Sequence, residues 1–490
     1  MVKLCSLLER VDYALINGNT DIEIENISYD SRTAQRGDVL VCIKGIDSDG
    51  HEYIQEGLEK GIKALIVEKD IDYPKDITVL KVENSRIALA EMSAAYFGHP
   101  AEKLKTIGVT GTKGKTTTTY MIKELLEKAG YKVGLIGTIE ISIGSLEIEA
   151  ENTTPESYVV QKYFRKMVDA GCNMVVMEVS SQGLMLNRVS GFIFDYGIFT
   201  NIESDHIGPN EHKDFDDYLR CKSLLFKQCK TGILNGDDPY VERILEGVNC
   251  DAVTFGIYKD VDVSAKNIAL FNEKGIMGVE YDLTGKRKMH IIVDVPGEFS
   301  VYNSLGAICL ALEFCIKEED IISVMREMKI RGRVELVPVS DDFTVMVDYA
   351  HNAMALKNLL LSLKKYKPKR LVCVFGCGGN RDRNRRFEMG KVAADLADFT
   401  IVTSDNPRKE NPEKIIDDIL IGINRSETQN PNYVVIPSRN EAIIYAINNG
   451  ILGDVIIIAG KGHENYQIIG NKKIHFDDRE IILKLEHKEK

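Results

Sequence analysis

The stretch Lys105–Thr119, KTIGVTGTKGKTTTT, constrains the fold more than any other. It reads as a short strand, Thr106–Thr110, a Gly-rich turn and the start of a helix. Gly111 and Gly114 allow the tight turn and a close approach of backbone to ligand. The N–H groups after Gly114 then point at one spot, at a helix N-terminus whose partial positive charge favours phosphate. Lys115 adds a point charge for the β- and γ-phosphates, and Thr116 offers a hydroxyl to Mg2+. The spacing departs from a standard Walker A motif, because GxxxxGK[ST] wants Gly at position 109, which is Val109. A Gly-Lys-Thr triplet where an apolar strand meets a helix still reads as a nucleotide loop rather than an incidental turn.

A chain of 490 residues is too long for one core, so about two to four domains are expected. The formal net charge of −12 argues against a general nucleic-acid binder. MVKLCSLLER has no apolar leader pattern, and no apolar run is long enough to span a bilayer, so no membrane insertion is expected. The ten cysteines are scattered among apolar segments. Cys373 and Cys377 lie close but do not have the spacing of a zinc knuckle. Buried free thiols in a reducing cytosol are the expectation.

Residues 1–101 read as a small α/β domain, with strands at Asp38–Lys44 and Ala64–Val67 and a helix over Ser85–Phe97. Tyr29-Asp30-Ser31-Arg32 and the loop Gly45–His51 are its polar features. A boundary falls near Gly98-His99-Pro100. Residues 102–330 alternate strand and helix in the βαβ manner. NMVVMEVSS at 173–181 is a buried parallel strand that ends in Glu178, and a carboxylate there can hold Mg2+. Asn152-Thr153-Thr154-Pro155 can cap the following helix or face a ligand. Tyr196–Thr200 leads into NIESDH, where His206 is a second candidate metal ligand. Asp216–Phe226 is helical, and its Lys222 would ordinarily be a solvated or snorkelling lysine. Residues 251–295 read as antiparallel strands, followed by a helix within 296–316. Residues 331–490 return to strand and helix. Four strands there end in polar or Gly-rich loops: DYAH after Val347, GCGGNRD after Phe375, SDNPR after Thr403 and GKGHE after Ala459. That is a doubly wound sheet binding a small polar ligand at one edge. A complete GxGxxG fingerprint is absent, so a nicotinamide site has little support.

Nine motifs now stand in order: GTKGKTT (111–117), NTTP (152–155), MEVSS (177–181), YLRCKSLLF (218–226), GRVE (332–335), DYAHN (348–352), GCGGNRD (376–382), SDNPR (404–408) and GKGHE (460–464). Together they resemble the Mur ligases over essentially the whole chain. Within that family they resemble the branch that extends UDP-N-acetylmuramoyl-L-Ala-D-Glu. The resemblance implies three domains: a uridine-nucleotide domain (1–101), a P-loop-type ATP domain (102–330) and a Rossmann-like amino-acid domain (331–490). It implies ATP-dependent amide-bond formation through an acyl phosphate, with ATP and Mg2+ as cofactors, in a cytoplasmic monomer.

Residue by residue, the match gives Gly111, Thr112, Lys113, Gly114, Lys115, Thr116 and Thr117 to the ATP phosphates, Asn303 to adenine and Asp348 to ribose, with Arg333 near the phosphates. Thr116, Glu178 and His206 hold metal, joined by Lys222 as a carbamate. Lys115, Lys222, His206 and Glu178 form the catalytic set. The uridine substrate takes Tyr29, Ser31, Ile46, Asp47, Ser48, Asn152, Thr153, Thr154, Ser180 and Arg188. The amino acid takes Arg386, Asp405, Asn406, Pro407, Arg408, Gly460 and Glu464. DNPR is the form that goes with meso-diaminopimelate, whose distal carboxylate a guanidinium can grip bidentately. L-lysine is the alternative amino acid. The chain departs from the family pattern at Leu186, Ser300, Asn352-Ala353-Met354, Asn380 and the IGPN that follows His206. Folylpolyglutamate synthase has a similar loop but lacks the first domain and DNPR. A P-loop switch or a catalytically idle homologue is the reading from another class.

Overall fold

The computed structural model describes residues 1–486 apart from 46, 47, 206, 209, 210, 274, 275, 429 and 430. His206, Ile46 and Asp47 therefore lie outside the described residues. The architecture is α/β throughout, in two compact units: Met1–Asp262 with Gly306–Ile316, and Val263–Leu305 with Lys317–Lys490. No helix among the described residues is long and apolar enough to cross a membrane.

The first unit begins with a five-stranded sheet in which Val39–Val41, Ala64–Val67 and Thr78–Lys81 pair in parallel. The strand expected over 38–44 is shorter than that. The Asp38 carboxylate turns back to accept Gln35 N–H, and Ile43 O is taken by Gly50 N–H instead of a ladder. Helix α1 (Ser85–Tyr96) starts at Asn84, whose side chain accepts from Arg86 and Ile87 N–H.

The central sheet of this unit carries the phosphate loop. Its elements are β1 (Lys105–Thr110), α2 (Lys115–Lys128), β2 (Val133–Ile136), α3 (Ser157–Asp169), β3 (Met174–Glu178), β4 (Phe194–Phe199), α4 (Phe215–Lys227), β5 (Cys229–Asn235) and β6 (Asp251–Gly256). The strand order is β2-β3-β1-β4-β5-β6, and every pair is parallel. β1 and β3 are short apolar runs because both faces of a parallel sheet are covered. The sheet grows in both directions from β1, so the loop after β1 sits at the ligand-binding edge. β6 corrects one expectation. It pairs in parallel with β5, Thr231 opposite Asp251, because the short helix Val241–Ile244 makes the return a crossover. Within 251–295, antiparallel pairing is confined to Val263–Glu273, Ile276–Gly285 and Met289–Val293 of the second unit.

The second unit is dominated by a six-stranded sheet. Its central strands are β7 (Thr344–Asp348), β8 (Arg370–Phe375), β9 (Phe399–Val402) and β10 (Asp454–Ala459), ordered β7-β10-β8-β9 and all parallel. The four strand ends singled out in the sequence thus share one edge. α5 (Asn384–Leu396), α6 (Arg439–Asn448) and α7 (Asp478–Glu486) belong to the same unit. Seven of the ten cysteines are buried as expected, whereas Cys5 and Cys250 are half-buried and Cys315 is exposed.

A fully buried ion pair braces this edge. Arg439 donates from Nε (2.8 Å) and Nη2 (2.6 Å) to the two oxygens of Asp478, and Nη2 also reaches Ala459 O at 3.1 Å. Removing one partner of such a pair strands a charge in the interior and costs about 3–5 kcal/mol. Asp478→Asn should therefore lower the stability of the protein by roughly 3 kcal/mol in urea unfolding. A loss below about 1 kcal/mol would show that the pair does not brace the sheet.

Candidate active site

The loop between β1 and α2 is shaped by two glycines and clamped from β4. Gly114, the residue before α2, has φ 86°, and Gly111 has φ 153°. A Cβ on Gly111 would lie 1.9 Å from Thr200 Oγ1, so the approach of β4 excludes any side chain. Thr200 Oγ1 donates to Lys113 O at 2.7 Å, and Asn201 Oδ1 accepts from Lys113 N–H at 3.0 Å. Asn201 O accepts from Thr112 N–H at 2.9 Å. Thr200 and Asn201 escaped sequence reasoning because they lie some ninety residues from the loop they hold. Lys115 arches over it, with Nζ donating to Gly111 O (2.9 Å) and Thr112 O (3.1 Å).

Glu178 closes the neighbouring strand β3 and is only 1% exposed. Thr116 Oγ1 donates to its Oε2 at 3.1 Å. Thr138, which no sequence signal marked, gives Glu178 both a backbone N–H (2.8 Å) and a hydroxyl (3.0 Å). A buried carboxylate with two threonine hydroxyls, all hard oxygen donors, suits Mg2+. Lys222 corrects the solvated reading, since it is 1% exposed on the inner face of α4. Its Nζ donates to Gly111 O at 2.8 Å and lies 4.4 Å from the Tyr218 ring centroid. Burial, and after it the charge of Lys115, holds the Lys222 amine well below the usual lysine range.

A cavity of about 210 Å³ opens beside the loop. Lys115 lines it together with Asn152, Thr153, Thr154, Ser180 and Arg188. The NTTP segment is tied to the end of β3: Thr154 Oγ1 donates to Glu178 O and accepts Ser180 N–H, both at 2.9 Å. Arg188 Nη1 donates to Thr154 O at 3.0 Å. Ser181 and His212 complete the wall. His212 is buried, with Nε2 2.9 Å from Ser181 Oγ and Nδ1 3.2 Å from Asp217 Oδ2. His212, Asp217 and Cys221 bring one donor atom each within 4.8 Å of one another. Burial pushes the Cys221 thiol up to about 11, which leaves it protonated and a poor ligand. Tyr29 and Ser31 do not line this cavity. Tyr29 packs on Tyr158, and Ser31 Oγ donates to Glu56 at 2.7 Å. Ser48 engages Gly45 N–H through its carbonyl.

The second unit has its own polar edge. Asp348, at the end of β7, accepts from Val334 (2.9 Å) and Ala350 (2.8 Å) N–H. Burial raises its carboxyl pKa, with the Arg333 charge opposing. Arg333 stacks over Tyr349, 4.8 Å from the ring centroid, and Asn303 is buried. After β9, Asn406 Nδ2 donates to Glu464 Oε2 at 2.9 Å, and Lys461 Nζ reaches both Asn406 Oδ1 (3.2 Å) and Glu464 Oε2 (3.0 Å). Lys461, fully buried, is a further residue that the sequence did not single out. Asp405 lies below Gly460, where a Cβ would come within 3.0 Å of Asp405 Oδ2. Arg408, after Pro407, adopts φ 51° and bonds Gly379 O from Nη1 at 2.9 Å. Among the described residues its Nε and Nη2 have no hydrogen-bond partner. Arg386, by contrast, is 2% exposed and is occupied by Glu410 (2.8 and 2.9 Å) and Asp418 (3.0 Å).

A curated protein of Clostridium perfringens (strain 13 / Type A), the UDP-N-acetylmuramoyl-L-alanyl-D-glutamate–2,6-diaminopimelate ligase, is 44% identical over 486 residues, 98% of each chain. The chain belongs to the Mur ligase family. A Clostridium botulinum (strain ATCC 19397 / Type A) protein of the same name matches to the same extent. Three Mur ligase profiles divide this chain: the family's catalytic domain at 23–97, the middle domain at 109–311 and the glutamate ligase domain at 332–462. A solved UDP-N-acetylmuramoyl-L-alanyl-D-glutamate–2,6-diaminopimelate ligase has the same fold, with a TM-score of 0.72 and 24% identity over 100% of this chain and 99% of that one.

Thr138 orients Glu178, and partners of that kind are worth about 10- to 100-fold in metal affinity. Thr138→Val should raise the Mg2+ concentration that half-saturates ATP turnover by about tenfold or more, with an unchanged thermal transition. An unaltered Mg2+ titration would show that the Thr138 hydroxyl does not position a Mg2+ ligand.

Proposed function

We propose that this Mur ligase joins meso-diaminopimelate to UDP-N-acetylmuramoyl-L-Ala-D-Glu in the cytoplasm, converting ATP to ADP and phosphate. One observation carries the reading: Lys115, the charge of the phosphate loop, shares a cavity with Asn152, Thr153, Thr154, Ser180 and Arg188. A substrate carboxylate held by these groups stands next to the site of phosphoryl transfer. The names of the curated relatives support the choice of substrates.

The proposed chemistry balances in two steps. A carboxylate oxygen attacks the γ-phosphorus of ATP, the bond to the β-phosphate oxygen breaks, and ADP leaves. The amine of the amino acid then attacks the acyl carbon, and the tetrahedral intermediate expels phosphate and loses a proton to give the amide. The protein contributes position and charge, as phosphoryl transfer requires. Backbone N–H groups at the start of α2 and the Lys115 ammonium meet the phosphates. Thr154 and Arg188, braced through Glu178 O, orient the acceptor. Mg2+, held by Thr116 and Glu178 with His206 and the Lys222 carbamate, would neutralise developing phosphoryl charge. Burial and the Lys115 charge weaken the hold of the Lys222 amine on its proton, and the neutral amine is the form that adds CO2, which supports the carbamate on Lys222. Asn303, Asp348 and Arg333 are proposed for the nucleoside side of ATP, and Tyr29, Ser31 and the 46–48 loop for the uridine side. The three-domain division at about 101 and 330 accompanies this assignment.

In the second unit, Arg408 is the proposed reader of the distal carboxylate. Its free Nε and Nη2 form one edge of the guanidinium fork, which suits a bidentate carboxylate. Asn406, Asp405, Gly460 and Glu464 frame the rest, and Arg386 holds the loop through Glu410.

With ATP and the UDP-dipeptide, meso-diaminopimelate should be used in strong preference to L-lysine, by up to ~10⁴ in kcat/KM, since a site built for a polar group rejects the analogue lacking it. Arg408→Ala should collapse that ratio. A wild-type preference for lysine, or a ratio untouched by the mutation, rejects the specificity. ATP hydrolysis that needs neither co-substrate rejects the ligase reading. Lys222→Ala should be nearly inactive and regain activity with a short added carboxylic acid, whereas Lys222→Arg should stay inactive because it keeps its positive charge. An active Arg variant would overturn the carbamate.

A further inference from the structure

The loop Asp405–Arg408 is held from outside its own sheet. Past β10 the chain forms a short antiparallel hairpin, β11 (Tyr466–Ile469) and β12 (Lys472–His475). Among the described residues it joins no larger sheet. Its two-residue turn begins at Gly470, whose φ of 61° is the kind a hairpin loop of this length requires. A lone two-stranded hairpin is marginal in water. This one spends polar groups of β11 on the loop after β9.

The contacts run in step along the two segments. Gln467 is buried, and its Nε2 donates to Asp405 O at 2.6 Å. Ile468 N–H donates to Asn406 Oδ1 at 2.9 Å. Arg408 N–H donates to Ile468 O at 3.0 Å, and Gly470 N–H donates to Arg408 O at 2.7 Å. Arg408 and Ile469 thereby form a parallel bridge.

Arg408 needs such a hold. Its φ of 51° lies in the left-handed region, which a residue with a Cβ keeps only where its surroundings over-determine it. The hairpin satisfies both polar groups of its backbone. The other end of the side chain is placed from the opposite loop. Nη1 bonds Gly379 O at 2.9 Å, and a Cβ on Gly378 would come within 2.8 Å of Nη1. Gly379 N–H also donates to Asn406 O at 2.9 Å. The glycine loop thus locates the guanidinium, and the hairpin locates the Cα from which it hangs. A bidentate contact to a carboxylate is planar and directional, so it depends on both.

We propose that this hairpin is a specificity-determining element of the amino-acid site, with Gln467 as a positioning residue that acts through Asp405 and Arg408. The proposal rests on Arg408 as the reader of the distal carboxylate, and it places part of the determinant outside the DNPR motif. L-lysine has no distal carboxylate, so its use does not depend on how Arg408 is aligned.

The test is the kcat and KM of wild type, Gln467→Met, Arg408→Ala and the double variant for meso-diaminopimelate and L-lysine, with ATP and the UDP-dipeptide saturating. Met keeps the length of the side chain and removes the amide donor. Gln467→Met should raise the KM for meso-diaminopimelate by about tenfold or more, with kcat little changed. It should alter kcat/KM for L-lysine by less than about threefold, and in the Arg408→Ala background it should add less than about threefold for either amino acid. A merely structural role would instead lower both substrates alike and add to the Arg408 effect. If Gln467→Met fails to fold, Gly470→Val takes its place. A Cβ at this exposed turn meets nothing within 4 Å, so that variant acts on the hairpin through φ alone, and it should show the same selective rise in KM. A preference for meso-diaminopimelate that Arg408→Ala collapses and the hairpin variant leaves intact would overturn this proposal while Arg408 keeps its role. Equal losses on the two amino acids, or additive effects in the double variant, would overturn it as well. A ratio that Arg408→Ala does not move removes both readings.

Discussion

Two lysines meet on one backbone carbonyl. Gly111 O accepts from Lys115 Nζ and from Lys222 Nζ, and much of the first unit follows from that contact. Two full charges so close would repel by roughly 3 kcal/mol even at an effective dielectric near 20. Lys222, the more deeply buried, is the one whose amine is driven toward neutrality. Lys115 keeps its place over the loop carbonyls at the start of α2. The loop can hold this arrangement because Gly111 brings its backbone against Thr200, and Thr200 with Asn201 fixes the turn from β4. The shape of this loop therefore depends on β1, β4, α2 and α4 converging, not on the Gly-Lys-Thr triplet alone.

The second unit solves a related problem differently. Lys461 is also buried, but it meets Glu464 and Asn406 instead of another cation. The ammonium ties the loop after β10 to the loop after β9, and the Arg439–Asp478 pair anchors Ala459 just before it. Arg386 is spent in the same way on Glu410 and Asp418. Arg408 stands apart because, among the described residues, only Nη1 of its guanidinium is hydrogen-bonded. Most of the other charges on this edge are cancelled by neighbouring side chains.

The departures from the family pattern at Leu186 and Asn380 leave Lys115, Glu178 and Lys222 in place in the sequence. Asn352 in place of the usual residue after His351 accepts Ala355 N–H and caps the next helix, a role that its own chemistry suits. The contacts that set charge and position are those made by Gly111, Thr116, Glu178 and Lys222.

Local chemistry determined a great deal of this protein. Apolar runs with polar ends marked β1, β3 and the four strands whose loops share an edge, and glycines at positive φ marked the phosphate loop, because period and backbone freedom are properties of neighbouring residues. Tertiary structure decided the rest. Lys222 looks like a surface lysine until α4 packs its face onto the loop. Thr138, Thr200, Asn201 and His212 acquire roles only from strands that the sheet order places side by side. β6 runs parallel because of where its crossover leaves it, which alternation cannot reveal. Whether Arg386 or Arg408 is free depends on acids brought up by a different helix. These are contacts between residues distant in sequence, and their partners are chosen by strand order and burial, which no local pattern encodes.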